Sequence, residues 1–114
     1  MPETAAKPQI EILSFEGCPN RKHAIRLVSE AVAEAGSDAE VRLIDVPDAE
    51  TAMRTRFLGS PTIRVNGHDI EPGADERTDF VLGCRVFRAA GALTGQPDPR
   101  WLRDALANVA RSAP

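Results

Sequence analysis

The sequence predicts an α/β domain in which a mixed sheet of about four strands carries flanking helices, in the order β-α-β-α-β-β-α. Three observations carry this. Short apolar runs alternate along the chain with stretches whose apolar residues recur every three or four positions. Asn66-Gly67 separates two strand-like runs and is the strongest short hairpin signal a sequence can hold. Asp98-Pro99 opens a final amphipathic helix with a capping residue and a proline suited to the first turn.

The elements follow in order. Gln9–Phe15 alternates and then thickens with apolar residues, as a strand entering a core does, and Glu16-Gly17 breaks it. Cys18-Pro19 is expected to open the first helix, since proline at the first helical position forfeits no hydrogen bond. Ala24, Ile25, Val28, Ala31, Val32 and Ala35 form its apolar face, and Gly36 ends it. Residues 41–46 read as the second strand, and Asp48 caps a short helix reaching to about Phe57. Gly59-Ser60-Pro61 is a turn. Residues 62–65 and 68–71 form the hairpin strands about Asn66-Gly67, closed by Pro72-Gly73. The last helix shows Trp101, Leu102, Ala105, Leu106 and Val109 as its stripe.

Residues 1–8 are expected to be a disordered tail, and 9–114 one domain with an inserted segment at 73–97. Within that segment Phe80-Val81-Leu82 and Val86-Phe87 are apolar enough to be buried. A loop this long in a small domain is usually functional or has structure of its own.

Composition narrows the function. Fourteen Lys and Arg against seventeen Asp and Glu give a net charge of −3, with no basic run, so neither nucleic acid nor an anionic membrane is expected as a partner. No apolar stretch approaches a membrane span, and the polar N-terminus lacks the apolar region of a signal peptide. A cytoplasmic location is expected. Two cysteines do not make a disulfide scaffold, so in a reducing compartment they are core thiols or chemistry.

Two motifs sharpen the fold. Gly17-Cys18-Pro19-Asn20-Arg21 puts a cysteine between the first strand and the first helix, and Ser60-Pro61-Thr62 stands at the start of the third strand. With the element order, these make residues 9–112 resemble the thioredoxin-like fold. The resemblance implies that Pro61 is cis, that it lies against the reactive Cys18, and that Ser60, Pro61 and Thr62 position an extended substrate. Thr78-Asp79-Phe80 followed by Cys84-Arg85-Val86-Phe87 also resembles small thioredoxin-like proteins of mercury-lyase-like or selenoprotein-like kind.

The chain departs from the dithiol pattern, because Arg21 stands where a second cysteine would be. It departs from glutaredoxins too, with Ser60-Pro61 where those commonly have Val-Pro, and no acidic glutathione-binding motif downstream.

Cys18 is the first candidate for catalysis. A thiol reacts as its thiolate, which a helix N-terminus and the nearby Arg21 and Lys22 favour. Pro19 and Arg21 are candidate substrate contacts beside it. Cys84 is the internal candidate for a resolving thiol, if 73–97 folds over the start of the first helix; otherwise it is a small buried hydrophobe. Arg85 beside it could supply charge, but reads more simply as a solvated side chain. His23 lies about 140° around the helix from Cys18, a poor angle for a base, and His68 follows the hairpin turn. Asp69, Glu71, Asp75, Glu76 and Asp79 read as a solvated acidic face. No paired Cys or His spacing suggests structural zinc, and neither a metal nor a cofactor is expected.

The reading that follows is a thiol-based oxidoreductase acting on a small thiol or disulfide or on a protein disulfide. Its rivals are a non-catalytic binding module of the same fold and a soft-metal thiol site for mercury, copper or arsenic, including organomercurial cleavage.

Overall fold

The computed structural model describes residues 7–89 and 91–112, with side chains described as far as Val109. Residues 1–6 of the expected tail lie outside the described residues. The chain runs β1 (Gln9–Ser14), α1 (Arg21–Ala35), β2 (Glu40–Asp45), α2 (Ala49–Arg54), β3 (Thr62–Val65), β4 (His68–Asp69), a 3-10 turn (Ala74–Glu76), β5 (Phe87–Ala89), β6 (Ala92–Thr94) and α3 (Pro99–Ser112).

The main sheet has four strands in the order β2-β1-β3-β4. β1 and β2 are parallel, with Ile12 opposite Leu43, as strands joined by a crossover helix must be. β3 lies antiparallel to both β1 and β4, with Leu13 opposite Thr62. Asn66 and Gly67 take φ of 51° and 85° and join β3 to β4 in the tight turn that their side chains predict.

Side-chain alternation sends Ile12 and Leu13 to opposite faces of β1. On one face Ile10, Ile12, Ile63 and Val65 pack with Ala24, Val28 and Ala31 of α1 and Leu102 and Leu106 of α3. Burying a leucine such as Leu102 stabilises the fold by about 2 kcal/mol. On the other face Leu13, Val46, Ala52 and Phe57 form a smaller cluster under α2.

The helix ends have local causes. α1 begins at Arg21, two residues after the expected first helical residue Pro19, with Asn20 at the flanking position. A proline disfavours helical geometry in the residue before it, which keeps Cys18 non-helical. Cys18 instead closes turns on both sides: its N–H donates to Phe15 O, and its carbonyl accepts from Arg21 N, both at 3.2 Å. Gly36, at φ 59°, ends α1. The Asp48 carboxylate accepts from Thr51 N at 2.8 Å and starts α2, which stops at Arg54, two residues before Arg56 turns to φ 59°. β4 is shorter than the predicted 68–71, because the Asp69 carboxylate takes the Glu71 N–H at 2.9 Å and diverts the backbone from the ladder. Asp98 caps α3 through the Arg100 N–H at 2.9 Å.

The segment 73–97 has structure of its own. After the 3-10 turn it runs as an extended strap over 81–85 and then forms the β5–β6 hairpin. The expected burial of its apolar runs holds only at Phe87. Val81, Leu82 and Val86 are 50%, 37% and 57% exposed, while Arg85 is buried at 2%. The strap's charged residue thus points in and its aliphatic residues point out, which overturns the solvated reading of Arg85.

Candidate functional site

Antiparallel pairing brings the end of β1 and the start of β3 to the same end of the sheet. Cys18 follows β1 by a short turn, and Pro61 precedes β3 directly. Cys18 is a free thiol, 8% exposed. The Ser60–Pro61 bond is cis. Ser60, Pro61 and Thr62 are all buried. Thr62 Oγ1 donates to Gly59 O at 2.7 Å. The Ser60 hydroxyl is buried and has no partner among the described residues.

The strap runs along this turn. Val81 N donates to Phe57 O at 2.9 Å, Ser60 N to Gly83 O at 2.8 Å, and Arg85 N to Ser60 O at 2.9 Å. Cys84 is therefore bridged, in parallel sense, to the residue before the cis proline. It is a free thiol and exposed, not a core hydrophobe. Gly59 permits this close passage. It has φ 116°, and a Cβ there would stand 3.0 Å from Arg85 Cα.

Arg85 anchors the strap. Its Nη1 donates to Thr62 Oγ1 at 3.0 Å and to Asp69 Oδ2 at 2.7 Å; its Nη2 donates to Asp69 Oδ1 at 3.0 Å and to Glu71 Oε1 at 2.8 Å. The guanidinium also lies 4.4 Å from the Phe87 ring centroid. The planar fork suits a two-oxygen grip on one carboxylate, which a lysine cannot reproduce. Asp69 and Glu71, expected on a solvated acidic face, are instead the counter-charges of a buried arginine. Sequence spacing held no signal for this, since the partners lie in the β3–β4 hairpin and the strap.

The remaining candidates divide. Pro19 is exposed, and Arg21 is half-buried, with its Nε buried and unpartnered among the described residues. His23 is exposed. His68 is exposed and lies 3.1 Å from Asp75. Burial pushes the Asp75 carboxyl up, but the Asp69 N–H and His68 outweigh it and hold it below its ordinary value. Gly95, past the β5–β6 hairpin, abuts the Asn20 carboxamide at the start of α1; a Cβ there would lie 3.1 Å from Asn20 Cγ. The 73–97 segment therefore returns to the first helix's start through Gly95, and to the cis-proline turn through Cys84.

Between the β1–α1 turn and the strap lies an open cleft of about 410 Å³, lined by Phe15, Glu16, Asp45, Pro47 and Leu82. Among the described residues no group of three or more His, Cys, Asp or Glu side chains converges as a metal site would require. No helix among them is long and apolar enough to cross a membrane. No protein-family model matches the chain, and no curated protein matches it.

Proposed function

We propose that this chain is a thioredoxin-like thiol–disulfide exchange protein in which Cys18 attacks the substrate and Cys84 resolves the intermediate. The observation that carries the reading is the bridge between Cys84 and Ser60, beside cis Pro61, at the end of the sheet to which β1 delivers Cys18. The parallel β1-α1-β2 unit, the β3–β4 hairpin and a last helix packed beside α1 support the fold family.

The chemistry balances as two successive exchanges. The Cys18 thiolate attacks one sulfur of a disulfide, and the other sulfur leaves as a thiolate with the electron pair of the broken bond. The Cys84 thiolate then attacks the Cys18 sulfur and expels the second substrate thiolate. The substrate gains two electrons, and the protein is left with a Cys18–Cys84 disulfide. A low-molecular-weight thiol, two molecules per cycle, reduces it again. Arg21 donates its amide N–H to the Cys18 carbonyl and so pins the turn that carries the attacking sulfur.

The test is a hydrogen peroxide titration read by mass spectrometry. The expected product is an intramolecular bridge in the wild type, lost in both Cys18→Ser and Cys84→Ser. Sulfenic acid at Cys18 with Cys84 unmodified overturns the resolving role. Inertness of Cys18 overturns the whole reading.

A further inference from the structure

We infer that this site takes low-molecular-weight disulfides, amine-bearing ones ahead of carboxylate-bearing ones, and excludes extended polypeptide disulfides. The inference rests on the thiol-exchange reading above and specifies its substrate class.

A protein holds an extended peptide by offering it unpaired backbone N–H and C=O groups along a strand edge. At the Cys18 end of the sheet those groups are taken. Ser60 N–H is bonded to Gly83 O and Ser60 C=O to Arg85 N. Pro61 has no N–H. β3 itself lies between β1 and β4. The chain's own strap thus occupies the place where a substrate backbone would pair, which argues against the expectation that Ser60, Pro61 and Thr62 position an extended substrate. The strap is not loosely laid. Arg85 is tied to three side chains beneath it, and Gly59 lets the two backbones approach to contact distance.

What the strap leaves open is a small-molecule space. The cleft of about 410 Å³ borders the Phe15–Cys18 turn through Phe15 and Glu16, and borders the strap through Leu82, two residues before Cys84. That volume falls in the range of small-ligand sites. Phe15, Pro47 and Leu82 offer apolar surface to a hydrocarbon stem, and Glu16 and Asp45 bring carboxylates. Neither carboxylate makes an ion pair among the described residues, and no basic side chain lines the cleft. An ammonium group on the substrate fits that lining, and a second carboxylate does not. The reaction is the exchange already written: one small disulfide and the two protein thiols give two small thiols and the Cys18–Cys84 disulfide.

The test compares initial rates for the full chain and for Cys18→Ser on four probes: cystamine, hydroxyethyl disulfide, dithiodipropionate and a disulfide-linked pair of extended peptides. The expected wild-type kcat/KM on the peptide pair is about 30-fold below that on hydroxyethyl disulfide, the cost of desolvating a peptide backbone group that finds no partner against the strap. Cystamine should exceed dithiodipropionate by about threefold to tenfold, with the gap closing as salt is added. Arg85→Met, which frees the strap, should raise the peptide rate toward that of the small probes. Should that variant fail to fold, the wild-type comparison alone decides. Equal wild-type rates on peptide and small probes overturn the exclusion, and dithiodipropionate ahead of cystamine overturns the charge preference. Exchange that is unchanged in Cys18→Ser on every probe overturns the thiol-exchange reading and this inference with it.

Discussion

Arg85 and Asp69 form a two-point ion pair, with Nη1 2.7 Å from Oδ2 and Nη2 3.0 Å from Oδ1, and side chains 1% and 4% exposed. It joins the strap to the β3–β4 hairpin and so fixes the path of the backbone that carries Cys84.

Removing Asp69 takes away the two-point partner of a buried guanidinium and leaves Glu71 as its one remaining counter-charge among the described residues. Asp69→Ala should therefore destabilise the fold by about 3 kcal/mol or more. Equilibrium urea unfolding measures it. Arg85→Lys should recover only part of the wild-type stability, because an ammonium cannot span both oxygens of Asp69 and still reach Glu71 and Thr62. Full stability in Arg85→Lys would refute the importance of the fork.

Gly59→Ala should be costly for two reasons acting together. Its φ of 116° is strained for any residue with a Cβ, and that Cβ would meet Arg85 backbone at 3.0 Å. A loss of about 2 kcal/mol is expected. Amide hydrogen exchange should show faster opening at Ser60 and Arg85, whose N–H groups hold the strap to the turn. Unchanged protection at both would mean that the strap tolerates the added methyl.

Acid should unfold the protein through its helix caps among other carboxylates. The Asp48 carboxyl is held below its ordinary value of 3.8 by hydrogen bonds from Thr51, and the Asp98 carboxyl by those from Arg100. A carboxyl with a depressed folded value stabilises the fold fully above its unfolded value, and that stability is lost as the pH falls through the folded one. Thermal midpoints should thus hold above about pH 5 and decline below pH 4. Asp48→Asn keeps a capping oxygen but cannot titrate there, so its midpoint should fall less steeply with acid than the wild type's.

The two thiols should separate by the size of the reagent. Cys84 is exposed and Cys18 is 8% exposed. A bulky maleimide on the folded protein should label Cys84 first, with Cys18 following when the chain is unfolded. Peptide mapping after brief labelling reads the order, and Cys18 labelled first by the bulky reagent would refute the burial assigned to it.

How much of this was legible in the sequence depends on the range of the interactions. Asp48, Gly36, Asn66-Gly67 and Asp98-Pro99 announce their turns and caps because the bonds that make them close within a few residues. The apolar periodicity of α1 and α3 likewise picks out the core face before any packing is known. At Cys18-Pro19 a local rule misled: proline suits the first helical position, but residues 18–21 close a separate turn through Arg21 N–H to Cys18 O, and α1 starts only at Arg21.

From the amino-acid order alone came the order of β1–β4 and the three α-helices, the Asn66-Gly67 hairpin and the two motifs that single out Cys18 and Pro61, but not the β5–β6 hairpin. The strap belongs to the tertiary structure. By hydropathy Val81, Leu82, Val86 and Cys84 should be buried and Arg85 solvated, and the reverse holds at every one of them. The reason is that pairing with Ser60 sets which side chains face the hairpin, and strand alternation then sends Arg85 and Phe87 inward together and Cys84 and Val86 outward. A buried guanidinium is tolerable only where carboxylates meet it. Asp69 and Glu71 meet this one from a part of the chain distant in sequence, so no local pattern could have shown it.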